Sequence, residues 1–128
     1  MTLGQWGERV AQLHVQQHGF ELLVANYHAR YGEIDLIIQK ESLLVFVEVK
    51  VRSSTRYGAA CEMVSPSKQQ KIIQTAMVFL QENEQYHNYD LRFDVISIQM
   101  KQHVAKIIQQ DFSSLTYDLA WIEHAFML

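Results

Sequence analysis

Asp35, Glu48 and Lys50 are the residues whose types and spacing could do chemistry together. They fall within residues 32–52, GEIDLIIQKESLLVFVEVKVR, which reads as two short strands joined by a polar turn at Lys40, Glu41 and Ser42. Side chains alternate between the two faces of a strand. Val45, Val47, Val49 and Val51 therefore share one face of the second strand, and Leu44, Phe46, Glu48 and Lys50 the other. On the first strand, Ile34, Leu36 and Ile38 share a face, opposite Glu33, Asp35 and Ile37. Aligning the two unbroken apolar faces brings Asp35, Glu48 and Lys50 together on the other side, beside Ile37 and Phe46. Charges set in such apolar runs point to a partly covered pocket rather than an open, solvated face.

Two carboxylates and a lysine so placed suit metal-assisted hydrolysis of a phosphodiester. Mg²⁺ takes hard oxygen ligands and is usually held by one or two carboxylates plus substrate phosphate oxygens. Asp35 and Glu48 can supply the carboxylates, and the backbone carbonyl of Val49 a further oxygen. The ion would stabilise charge on the phosphate and lower the pKa of a bound water. Lys50 would orient that water or stabilise the negative charge of the transition state. Taken alone, Glu48 and Lys50 read more simply as an ion pair on a wet strand face, worth under about 1 kcal/mol. Asp35, on the matching face of the neighbouring strand, tips the balance towards a site.

Other chemistry-bearing residues form no such group. His14 and His18 lie one helical turn apart but lack the acid of a zincin motif, and read as a polar helix face. Cys61 reads as a small buried apolar residue. There is no glycine-rich phosphate loop and no dinucleotide fingerprint.

The elements that must position the site follow from pattern. Residues 3–19 read as an amphipathic helix with Leu3, Trp6, Val10 and Leu13 as its apolar stripe. Glu8 lies outside that stripe, towards Ala11 and Val15, and on the helix alone reads as a solvated acid near the N-terminus. Residues 20–25 form a strand and 26–31 a polar connection; the central hairpin follows. Residues 53–63 are loop-like. Ser65 and Pro66 then supply the N-cap and first position of a helix running to about residue 83. After a polar loop, residues 90–100 form a fourth strand and 104–109 a fifth. Residues 117–126 read as a short helix with Leu119, Ile122 and Phe126 on one side. The expected architecture is an α/β mixed sheet of about five strands flanked by helices, as a single domain over residues 1–128.

Composition sets the outer bounds. The 128 residues are 48% hydrophobic and 20% charged, which supports a core without disulfide or metal staples. One cysteine and no leader-like N-terminus suggest a cytoplasmic protein. The apolar run at 43–47 is far too short to span a bilayer. A net charge of −3 argues against a protein that coats nucleic acid broadly. Lys50, Arg52, Arg56, Lys68 and Lys71 nevertheless make a local basic segment opposed only by Glu62.

GEIDLI, followed by FVEVK with Asp35 and Glu48 thirteen residues apart, resembles the active-site signature of the PD-(D/E)XK nuclease superfamily. More closely, the chain resembles the YraN-like family of small predicted endonucleases, similar in turn to archaeal Holliday-junction resolvases. The likeness extends to Gly4, Gly7 and Glu8, to Asn26, Lys68-Gln69, RFDV at 92–95 and Ala125-Phe126. Ile34 stands where the superfamily name has proline, as is usual in the YraN-like branch. The resemblance implies a restriction-endonuclease-like core and an Mg²⁺-dependent endonuclease, with Mn²⁺ able to substitute and no organic cofactor. It implies structured or branched DNA as substrate and a homodimer as the working unit. It carries Asp35 and Glu48 over as metal ligands, Lys50 as the catalytic lysine, Glu8 as an acid approaching the metal, and Gln69 as a polar residue near the site. Arg52, Arg56, Lys68 and Lys71 are the expected phosphate contacts. Two other readings fit the same residues: a non-catalytic nucleic-acid-binding module, and a subunit active only with a partner protein.

Overall fold

The computed structural model describes residues 1–53, 64–101 and 115–128. The element order is α1 (Leu3–Gln17), β1 (Glu21–Ala29), β2 (Gly32–Lys40), β3 (Leu43–Arg52), α2 (Pro66–Glu82), β4 (Asp90–Met100) and β5 (Tyr117–Phe126), with a short 3₁₀ turn at Glu84–Tyr86. The strands form one sheet in the order β1-β2-β3-β4-β5. Every neighbouring pair is antiparallel except β3 and β4. A parallel pair needs a crossover connection, and the segment carrying α2 provides it. The α/β fold with a five-stranded mixed sheet and two helices matches the expected restriction-endonuclease-like core.

One helix covers each face. Leu3, Trp6, Ala11 and Val15 of α1 pack on Leu36, Ile38, Val45, Val47, Ile96 and Ile98. Ile72, Ala76 and Phe79 of α2 pack on Ile37, Leu44, Phe46, Phe93 and Val95. Thr2 and Gln5 close a reciprocal capping box at the start of α1, satisfying two backbone donors that a helix end otherwise leaves open. At α2, Ser65 accepts from the Lys68 N–H and Pro66 takes the first turn, as expected. No helix among the described residues is long and apolar enough to cross a membrane.

Four expectations are corrected. Residues 117–126 form strand β5, not a helix. Val95 pairs with Ile122 while Phe93 pairs with Phe126, so β5 bulges between them, with His124 in the left-handed region (φ 53°). The extra residues put Ile122 and Phe126 on one side at a spacing that mimics a helix. β1 runs on through Ala29 rather than ending at Ala25, with Asn26 at φ 55° inside it. Ile34 packs with the α2-side cluster, away from Leu36 and Ile38; its β1 partner, Tyr27, follows that left-handed Asn26. The buried stripe of α1 is Leu3, Trp6, Gly7, Ala11 and Val15, while Leu13 is 60% exposed. Gly7 lies so close to β3 that a Cβ there would collide with Val51 Cγ2. Small residues let the helix approach on a side that hydrophobicity alone undervalues. The strand expected at 104–109, and Arg56 and Cys61, lie outside the described residues.

Candidate functional site

The site lies where two strands part. β2 and β3 pair from Lys40 and Leu43 down to Leu36 and Val47 and no further. Beyond that point β2 continues against β1, and β3 against β4. Asp35 and Glu48 are the first residues past the fork. Asp35 Oδ2 reaches across it to accept the Val49 N–H at 2.8 Å, satisfying a backbone donor that the diverging strand leaves open.

The fork concentrates negative charge. Asp35 is pushed up from its ordinary 3.8 to about 7. Burial is the main cause, followed by the charge of Glu48; Glu8 and a carboxyl–carboxyl hydrogen bond to Glu48 add to it, while the Val49 N–H pulls the other way. Glu48 is only 8% exposed. Glu8 enters from α1 because it follows Gly7 and flanks Ala11 and Val15, the buried side of that helix. Its carboxyl is also raised, by burial first, then by the charges of Glu33 and Glu48, against hydrogen bonding from Asn26. Glu8 Oε1 is buried and has no hydrogen-bond partner among the described residues. A cleft of about 560 Å³ opens beside Glu8, lined among others by Leu3, Val49 and Ser53.

Among the described residues, the cation paired with an acid of the fork is Lys68 and not Lys50. Lys68 Nζ donates to Glu48 Oε1 at 2.9 Å. Burial works against its charge, but the hydrogen bond and charge of Glu48, with Asp35 and Glu33 behind, outweigh that and raise its pKa. Lys50 shares the half-buried end of β3 and forms no ion pair with Asp35 or Glu48 among the described residues. The structure thus sets Asp35 beside Val49 and Glu48, with Glu8 near enough from α1 to feel their charge; it adds Lys68 at Glu48 and leaves Lys50 two residues beyond Glu48. The Gln69 side chain donates to the Val64 carbonyl at 2.8 Å and holds the entry to α2. Arg52 ends β3. Lys71 lines a separate cleft of about 320 Å³ with Ser65, Ser67, Lys68 and Gly32.

Sequence reasoning assigned Lys68 to phosphate and missed its place beside Glu48. The signal was available: Lys68 stands four residues before Ile72, seven before Thr75 and eight before Ala76, all buried. It is therefore the charged end of the buried stripe of α2.

Carboxylate oxygens are the donor type a hard cation takes. Among the described residues no three metal-capable side chains converge as a ready-made cage.

A second buried acid has a different task. Asp94, with no exposure, accepts from Arg92 Nε at 2.9 Å, Trp121 Nε1 at 2.8 Å and the His124 N–H at 3.1 Å. It ties β5, bulge included, to β4. The apolar residues near the C-terminus are largely occupied: Trp121 by Asp94 and Phe20, and Ile122 and Phe126 by the α2-side core, while Met127 is exposed.

Comparison with known proteins places the chain. The model of a family described as "Uncharacterised protein family UPF0102" matches residues 7–98. The chain belongs to the UPF0102 family. The matched span holds both the fork and α2. Proteins named UPF0102 protein are similar over nearly the whole chain. One from Acinetobacter baumannii (strain AYE) is 52% identical over 98% of this chain and 95% of its own length. One from Acinetobacter baylyi is 48% identical over 98% and 90%, and one from Saccharophagus degradans 40% over 98% and 92%. UPF0102 membership agrees with the YraN-like resemblance; the family description states no activity.

Proposed function

We propose that this UPF0102 protein is a metal-dependent endonuclease that hydrolyses phosphodiester bonds in nucleic acid, with structured or branched DNA as its substrate. The observation that carries the reading is the fork itself. Two strands diverge to set Asp35 against Glu48, near a buried Glu8 oxygen that has no partner among the described residues. Such crowding disfavours the folded state unless a cation joins it. Asp35 and Glu48 would hold Mg²⁺, with Glu8 and the Val49 carbonyl as further oxygen donors; Mn²⁺ would substitute. Bound there, the ion would supply Lewis-acid stabilisation of the phosphate and an activated water.

The chain's own residues supply the rest. The Val49 N–H fixes one oxygen of Asp35, leaving the other for the ion. Lys50, paired with neither acid among the described residues, would orient the attacking water or meet negative charge developing on the phosphate. Arg52, Lys68 and Lys71 offer positive charge to the substrate backbone. Contacts of that kind set position rather than base sequence, so selectivity would rest on substrate shape.

The test is cleavage of a labelled panel of linear duplex, single strand, flap and four-way junction. Mg²⁺, Mn²⁺ and chelator are compared for wild type, Asp35→Ala and Lys50→Ala. Metal-dependent cutting lost in both variants supports the reading. Binding to one structure without cutting would favour a non-catalytic module. Neither cutting nor binding by the folded protein would sink the stand-alone enzyme.

A further inference from the structure

We infer that Lys68 is the resident counter-cation of the fork: its ammonium holds the place at Glu48 that a divalent ion must take, so metal entry and release of Lys68 are one exchange. The inference rests on the proposed reading of the fork as a cation site. Glu48 is nearly buried, and its one ionic partner among the described residues is Lys68 Nζ, bound to the Oε1 atom. An ammonium at 2.9 Å from Glu48 Oε1 competes with a metal for the charge of the same carboxylate, so each weakens the other's hold on Glu48. Asp35 and Glu33 also draw the ammonium inwards, so Lys68 offsets part of the charge that crowding creates.

The way Lys68 is mounted separates its anchor from its tip. Its backbone N–H is held by the Ser65 cap at 3.2 Å, and the following residue, Gln69, is held to Val64. Its side chain is half exposed. The root is fixed and the long flexible stem can swing out without disturbing α2. The cleft that Lys68 lines with Glu33, Ser65 and Ser67 lies at the same helix end, where the Glu33 carboxylate offers the displaced ammonium an alternative partner. A purely structural ion pair would have no reason to yield to metal; an exchanging one must.

The experiment titrates the full chain with Mn²⁺, read by the electron-paramagnetic-resonance signal of free Mn²⁺. Wild type, Lys68→Met and Lys101→Met are compared, with folding checked by circular dichroism. Lys101→Met removes the same charge from a residue that pairs with Asp118 rather than Glu48. Lys68→Met should bind Mn²⁺ about tenfold more tightly, the scale of one charge-assisted hydrogen bond, while Lys101→Met changes affinity less than about threefold. A second readout uses wild type alone. Mg²⁺ should increase amine-reagent labelling of Lys68 several-fold relative to Lys101, measured by mass spectrometry. If wild type binds Mn²⁺ but Lys68→Met binds no more tightly and Lys68 labelling does not rise, the exchange is refuted and the metal site stands. If no variant binds Mn²⁺ at millimolar concentration, the metal-site reading falls and takes the exchange with it.

Discussion

Replacing Asp35 by asparagine should stabilise the metal-free protein, and only where the pH leaves the wild-type carboxyl ionised. A carboxyl held at about 7 in the fold against 3.8 outside it binds its proton more tightly when folded. Its favourable contribution is complete below the unfolded value and is lost as pH rises through the folded one. At pH 8, ionised Asp35 costs the fold up to about 4 kcal/mol; at pH 5 the figure falls to about 1.5 kcal/mol, and near pH 3.5 it vanishes. Asparagine keeps an oxygen for the Val49 N–H but gives up the stronger bond to a charged acceptor, which trims the gain by about 1 kcal/mol. The expected net gain at pH 8 is about 1–3 kcal/mol, or roughly 3–10 °C in Tm for a chain of this size. Thermal melts in chelator at pH 8 and pH 5 read it directly. A variant that is less stable than wild type at pH 8, or that gains equally at both pH values, would refute the argument that crowded charge at the fork strains the fold.

The remaining expectations concern the frame. Gly7→Ala forces a methyl group into Val51 and should cost about 1–3 kcal/mol, seen as a lower urea midpoint. Asp94→Ala strands the Arg92 guanidinium, only 12% exposed, and leaves Trp121 Nε1 without its acceptor; a loss of about 3–5 kcal/mol should show by urea unfolding, with altered tryptophan emission. Tyr27 donates to Glu82 at 2.6 Å and is pushed up to about 12, by burial first and then by that carboxylate. Its stabilising effect should persist below pH 10 and be lost as pH rises through 12. Ultraviolet titration should show Tyr27→Phe removing the last tyrosine to ionise.

The hairpin acids were legible because strand alternation and a short turn fix their relation locally. Asp35 and Glu48 had to meet once Leu36 was set against Val47. Lys68 was not, because its encounter with Glu48 depends on a crossover that returns α2 over the sheet, a relation no local pattern encodes. Glu8 was misread on the helix alone because the stripe was drawn through Val10 and Leu13, whereas the close contact runs through Gly7 and Ala11. Hydrophobicity marks what can be buried; small residues mark how near the backbone comes. β5 was misassigned for a related reason. A bulge in a strand changes the spacing of its inward side chains, and Leu119, Ile122 and Phe126 then imitate a helical face. Asn26 misled in the same direction, since a polar residue suggests a loop, yet its left-handed backbone lies inside β1.

Those irregular strands also determine how copies of the chain can meet. β1 and β5 are the two borders of the sheet. β1 carries a register shift between Leu22 and Val24 as well as Asn26, and β5 carries its bulge at His124. Kinked borders resist edge-to-edge addition of another strand. Among the described residues, both borders of the sheet are thereby poor templates for the addition of another strand, whether from a copy of this chain or from any other.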